Sequence, residues 1–295
     1  MRRARLRHAV ALGLLQGPTE LLPVSSSAHT TLVPWLAGWP YADLDPELRK
    51  SFEVALHAGA AAALAIDMRT ELIEAARTLD RRRAAAIALS LAPPALAGYV
   101  LERPIERHLG GPRSIAVGLI AGAAAMALAD LRPGRRDGHG RAPDGRDEPD
   151  GSPARGTRRE HETDPCDGLA LGLAQSVALV PGVSRSGATL TAARARGFAR
   201  EDAQALSRHA ALPVILGAVA LKGWRLLRGG APDGAWPMLA AGAGSAFLST
   251  TASARLLRRQ SESARERGLA PYAVYRAALA AITMMRLRRT QNMGR

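Results

Sequence analysis

Two short stretches of this 295-residue chain place hydroxyls beside ionisable groups within otherwise apolar sequence. The later one, "PGVSRSGAT" at 181–189, offers the hydroxyls of Ser184, Ser186 and Thr189, two glycines (Gly182, Gly187) where a ligand can approach the backbone, and Arg185. A guanidinium grips phosphate through two parallel N–H bonds. If a helix follows, its free N-terminal N–H groups complete an anion site. The earlier stretch, "PTELLPVSSSAHT" at 18–30, offers Ser25, Ser26 and Ser27, the imidazole of His29 and the carboxylate of Glu20. One loop has the groups to hold a phosphate, and the other has the groups to act on it. Helix capping and turn formation are the competing use of serines; for either loop alone they account for the hydroxyls equally well.

The two stretches are copies. Without a gap, Gly13, Leu14, Gln16, Val24, Ser25, Ser27 and Thr30 fall on Gly172, Leu173, Gln175, Val183, Ser184, Ser186 and Thr189, and Pro23 and Pro181 miss register by one step. The N-terminus, "MRRARLRHAVALGLL", has the outline of a signal peptide. A cleaved leader has no reason to share a pattern with the middle of the mature chain, so the segment is expected to belong to the folded protein. Each copy runs as an apolar helix, a proline-containing break, a hydroxyl cluster and a second apolar stretch. Intramembrane ionisable groups are costly and mark function by default.

The elements that must carry these loops are apolar. A mean hydropathy of −0.05 hides this, because residues 132–166 are rich in Gly, Pro and charges of both signs and read as a flexible linker. Outside it, charge-free runs recur, among them "AAAIALSLAPPALAGYVL" (84–101), "SIAVGLIAGAAAMALA" (114–129) and "AWPMLAAGAGSAFLSTTASA" (235–254). These approach the roughly 17 to 25 residues of a membrane-spanning helix, and their small residues suit closely packed membrane helices. Buried helices of a large soluble bundle are the alternative. A break inside a membrane helix must line a protein-enclosed cavity, and paired broken segments mark a membrane protein built from two repeats with its site where they meet. The expected organisation is a first repeat at 1–131, the linker at 132–166 and a second repeat at 167–295.

The formal net charge of +14 is spread in short arginine groups beside the apolar runs, such as "RTLDRRR" and "RLLRRQ". That pattern fits membrane-flanking charge and anionic lipid, and no nucleic-acid motif accompanies it. The single cysteine, Cys166, excludes an intrachain disulfide framework. With His139 and His161 it matches no zinc spacing, so all three read as solvated linker residues. Glu53 and His57 stand four apart on one helix face, either supporting the site or making a plain intrahelical contact. His8, His108 and His209 carry no assigned role.

At "QGPTELLPVSSSAH" and the intact "PGVSRSGAT" the chain resembles the undecaprenyl-diphosphate phosphatase family of the bacitracin-resistance type. "FEVALHAGAAAALAIDMRTEL", "LSRHAALPVILGA" and "YRAAL" extend the likeness over most of the chain outside the linker. The resemblance implies an all-α, multi-pass transmembrane bundle of two inverted repeats with re-entrant helical hairpins. It implies an inner-membrane enzyme, its site open to the outer face, that removes the terminal phosphate of undecaprenyl diphosphate and so recycles the cell-wall lipid carrier; it admits a homodimer. By motif position, Ser26 would be the nucleophile. Glu20 would be a base or a ligand for a divalent cation, Mg2+ or Ca2+, and His29 a proton relay or phosphate ligand. Arg185 would stabilise charge on the phosphoryl oxygens, and Gln16, Ser25, Ser27, Ser184, Ser186, Gly187 and Thr189 would contact the substrate. With Gln16 where the family accepts Glu or Gln, Glu20 is the only carboxylate of its motif. Ala28 replaces the usual glycine, Pro18 and Leu21 stand where Leu and Phe are common, and the linker is longer than usual. Two further readings compete: a transporter of polyprenyl phosphate, which needs no nucleophile, and a lipid-binding scaffold, which tolerates loss of Glu20 and Ser26.

Overall fold

A computed structural model describes residues 2–41, 44–131, 158–230, 234–259 and 268–293. Eleven α-helices account for nearly all of them: α1 (Arg2–Leu21), α2 (Ser26–Ala37), α3 (Pro46–Asp67), α4 (Arg69–Arg77), α5 (Arg81–Leu109), α6 (Pro112–Leu131), α7 (Pro165–Val177), α8 (Arg185–Ala195), α9 (Arg200–Gly229), α10 (Trp236–Arg259) and α11 (Ala270–Met293). Among the described residues there is no strand, only a single bridge between Arg158 and Phe198.

Local chemistry sets the helix ends. Asp45 caps α3 by accepting the N–H of Glu47 and Leu48, with Pro46 at the first position, where a missing N–H costs nothing. Asp80 caps α5 at Arg83 N, 2.7 Å away. Gly38 closes α2 in the left-handed conformation at φ 66°.

Among the described residues three helices, 81–105 of α5, 112–129 of α6 and α9, are long and apolar enough to cross a membrane, and α3 with α4, bent by 65°, makes a fourth if taken as one span. The burial pattern is inside out relative to a soluble bundle. Leu96, Tyr99, Val117, Leu128, Leu248 and Val274 stand exposed, whereas Gln16, His29 and Arg276 are almost completely buried. Apolar residues facing outward with polar ones facing inward suit lipid as the solvent.

The halves exchange partners. α1 packs along α10 and α7 along α5, while α6 pairs with α11. The corresponding glycines Gly13 and Gly172 make the first two approaches close. A Cβ on Gly13 would lie 2.6 Å from Gly242 O, and one on Gly172 would press on Leu89 O and Pro93. Small residues that let backbones meet are the usual device of membrane helix pairs.

Of the expected linker, 132–157, with His139, lies outside the described residues. Residues 158–166 are docked. Arg158 bonds both Asp167 oxygens, at 2.8 and 2.6 Å, and Glu160 Oε1 lies 2.5 Å from His209 Nδ1. Burial alone would raise the Asp167 carboxyl, but hydrogen bonds from Arg158, the Asp164 backbone and Arg196 outweigh it and hold the pKa at about 2.

Candidate active site

Each break is a few residues long and ends in a serine with an unusual backbone. Ser25 sits at φ 76° and Ser184 at φ 57°, the two non-glycine residues with positive φ among those described. That conformation costs a side-chain-bearing residue on the order of 1 kcal/mol or more, so the surrounding structure must enforce it twice. Both serines then do the same work. Ser25 Oγ accepts Ala28 N–H at 3.4 Å and meets Ser27 Oγ at 3.2 Å, and Ser184 Oγ accepts Gly187 N–H at 3.2 Å and meets Ser186 Oγ at 3.3 Å. Capping therefore uses Ser25 and Ser184, the first serine of each cluster. It leaves Ser26 over, whose hydroxyl reaches the Glu20 carboxylate. Ser186 donates to Leu22 O across the two loops at 3.2 Å.

The loops meet through charge. Arg185, first residue of α8, pairs with Glu20 near the end of α1. The Glu20 side chain is 2% exposed and that of Arg185 is 23% exposed, so the carboxylate is buried while the guanidinium keeps an open side. Gln16, one turn before Glu20, donates from Nε2 to Glu20 Oε2 at 2.9 Å and lies 3.2 Å from His57 Nδ1. His57 Nδ1 is itself 3.6 Å from Glu20.

Of these groups, Glu20, Arg185 and His57 lie on one wall of a cavity of about 290 Å3. Of the residues singled out by motif, Glu20, Ser25, Ser26, Ser27, Ser184, Arg185 and Ser186 line it, joined by Glu53 and His57 of α3 and by Lys222 of α9. A second space of about 580 Å3 also reaches Glu20, Arg185 and Ser186.

Gln16, His29, Gly187 and Thr189 line neither space. Gln16 stands behind Glu20. Thr189, fully buried, donates to Arg185 O at 2.9 Å and meets Ser207 Oγ at 2.6 Å, which pins the first turn of α8 to α9. His29 has both ring nitrogens engaged. Nδ1 is 2.7 Å from Ser25 O and Nε2 is 2.6 Å from the Tyr275 hydroxyl. A carbonyl only accepts, so Nδ1 carries a proton; in the neutral ring Nε2 then accepts from Tyr275. Sequence reasoning assigned no role to Tyr275 or its neighbour Arg276, and the quoted "YRAAL" was the one signal pointing there.

A divalent cation takes six or more oxygen ligands as Ca2+ and near-octahedral oxygen as Mg2+. Among the described residues no three His, Cys, Asp or Glu side chains come together to hold one. The Glu20 oxygens are engaged by Arg185 and Gln16, so the protein groups alone make no closed cage for a cation, and substrate oxygens would have to complete its shell.

The fold and this wall define a class: a helical membrane protein in which two copies of one broken-helix motif bring a carboxylate, a guanidinium and serine hydroxyls to a shared cavity. Residues 9–282 match the family model described as bacitracin resistance protein BacA, and the chain belongs to that family. It is 38% identical over 272 residues to a protein of Geobacter sulfurreducens named undecaprenyl-diphosphatase, covering 87% of this chain and 91% of that one. A protein of the same name from Geobacter metallireducens is 37% identical, over 80% of this chain and 82% of its own. One from Chromohalobacter salexigens is 32% identical, over 94% and 97%.

Proposed function

We propose that the chain is an integral membrane phosphatase that hydrolyses undecaprenyl diphosphate to the monophosphate and free phosphate, recycling the cell-wall lipid carrier. The observation that carries the assignment of its site is the cross-half wall in which Ser26 faces Glu20 and Arg185. The family and the named relatives support the substrate.

Ser26 Oγ attacks the terminal phosphorus, its proton passes to Glu20, and undecaprenyl monophosphate leaves with the bridging oxygen. Water then attacks the phosphoserine, Glu20 returns its proton to Ser26 Oγ as the bond from that oxygen to phosphorus breaks, and the phosphate leaves with both hydrogens of that water, one of which it sheds to solvent. Arg185, released in part from Glu20 as the carboxylate gains a proton, turns to the phosphoryl oxygens, where charge builds. Ser27 and Ser186 orient the phosphate. Ser25 and Ser184 hold the loops, Gln16 holds Glu20, Thr189 holds α8, and His29 acts through Ser25. No step is assigned to a cation; an Mg2+ or Ca2+ ion would enter on the oxygens of the diphosphate.

The inverted relation of the two repeats draws support from the exchanged pairs α1 with α10 and α7 with α5. The short helices α2, α7 and α8 beside the breaks, of 12, 13 and 11 residues, suit re-entrant hairpins. A plasma-membrane location with the site open to the outer face fits a lipid carrier released after polymer transfer. A homodimer is compatible with the exposed apolar helix faces.

Phosphate release from a C55 polyprenyl diphosphate by detergent-purified protein, with and without added Mg2+ or Ca2+, tests the proposal beside Ser26→Ala. Release that depends on Ser26 is the expected result. Binding of the lipid without release, in protein that elutes as a single folded species, would overturn it in favour of transport.

A further inference from the structure

Among the described residues, one guanidinium is completely buried without a carboxylate partner. Arg276 of α11 is 0% exposed. Its bonds run to main-chain oxygens: Nη1 to Pro23 O at 3.2 Å, Nη2 to Gly182 O at 2.8 Å and Gly118 O at 3.4 Å, and Nε to Leu119 O at 3.3 Å, with Met126 Sδ 3.6 Å from Nη1. None of these partners is an anion. Burying a charge this way costs several kcal/mol unless something is gained.

Two of the four carbonyls state the gain. Pro23 lies in the first break and Gly182 in the second, each two residues before its loop's positive-φ serine, Ser25 or Ser184. One planar fork thus fixes the separation of the two loops that carry Ser26 and Arg185. Tyr275, the adjacent residue, holds the first loop a second time through His29. The sequence also clears room for the fork. A Cβ on Gly187 would lie 3.0 Å from Nη1 and 3.1 Å from Met126 Sδ, and one on Gly122 of α6 would collide with Nη2. Gly187 of the second motif thus seats the guanidinium and lies outside both cavities.

We propose that Arg276 is a positioning residue for phosphoryl transfer, holding the two broken-helix loops in register through Pro23 O and Gly182 O. It rests on the assignment of those loops as the active site. Arginine is required because its donors are set in a rigid plane, whereas a lysine ammonium keeps the charge but cannot span both carbonyls in that geometry. Misplacing the loops by about 1 Å costs on the order of 100-fold in rate, with little change in KM, since lipid binding rests on the rest of the cavity.

The test uses the full chain, with Arg276→Gln, Arg276→Lys and Gly122→Ala measured beside wild type and Ser26→Ala for kcat, KM and thermal stability in detergent. The expected result is kcat down about 100-fold in Arg276→Gln and by at least about tenfold in Arg276→Lys, with KM within about threefold. Gly122→Ala should lower kcat in the wild-type background and have no further effect on top of Arg276→Gln, because the two changes act through one contact. If Arg276→Gln does not fold, Arg276→Lys and Gly122→Ala decide the matter. Wild-type kcat in a folded Arg276→Gln or Arg276→Lys, or additive losses in the double variant, would overturn the inference. Activity that survives Ser26→Ala would instead overturn the site assignment beneath it.

Discussion

Removing Arg185 separates its two duties. The Glu20 side chain is 2% exposed and its ionic partner from the second half is Arg185; Arg185→Ala leaves a buried carboxylate facing Gln16, Ser26 and His57, none of them a permanent cation. Breaking a buried pair from one side costs roughly 3 to 5 kcal/mol, mostly through the stranded charge. For a protein of this size each kcal/mol moves Tm by about 2 to 4 °C, so Arg185→Ala should melt on the order of 10 °C below wild type. Adding Glu20→Gln removes the stranded charge, and the double variant should recover most of that loss, a non-additive pair in the sense of a double-mutant cycle. Activity should not recover. A guanidinium that meets transition-state charge is worth about 10^3 or more in kcat, and neither change supplies another. Thermal melts and phosphate release on the same four detergent preparations read both quantities. A double variant no more stable than Arg185→Ala would refute the stranded-charge argument, and Arg185→Ala within tenfold of wild-type kcat would refute the role at the phosphate.

Two further outcomes follow from the docked segment at 158–166. The Asp167 carboxyl is held at about 2 against an ordinary 3.8, so its contribution to stability is full above pH about 4 and is lost as pH falls through the folded value. Melts between pH 5 and 2 should show this fall in wild type and a flatter profile in Asp167→Asn. Deletion of 136–155, chosen on composition, should leave phosphate release and Tm near wild type. Deletion of 136–163 removes Arg158 and Glu160 with their partners at Asp167 and His209 and should lower Tm by several degrees; equal behaviour of the two deletions would count against the docked segment.

The gap-free register of the two copies carried much of the site. It put Ser25 opposite Ser184, and these share a backbone conformation and a hydrogen-bonding pattern down to the hydroxyl two residues on. The register could not tell which serine of each cluster is spent on capping, since that depends on φ and not on residue type. Arg276 was illegible for a different reason. It is one of many arginines, has no counterpart in the copied motif, and differs from the rest only in being surrounded by carbonyls from three separate elements. The charges of 158–166 looked solvated because a linker's composition says nothing of whether its opposite charges meet. The apolar runs foretold the helices well, since length and hydropathy are local properties. The exchanged packing of α1 on α10 and α7 on α5 is not local, and only the matching glycines hinted at it.

That exchange bears on how the chain is made. α1 leaves the ribosome with its small-residue face and Glu20 ready for partners that do not yet exist; α10 and Arg185 are both translated in the second half. Until then the 20-residue α1 carries Glu20 with Gln16 and His57 of the first half beside it and without its guanidinium, a carboxylate that is costly to leave in lipid. The two halves expressed as separate polypeptides would each lack the helix that packs on α1 in one and on α7 in the other, so co-expression is expected to restore what neither half holds alone.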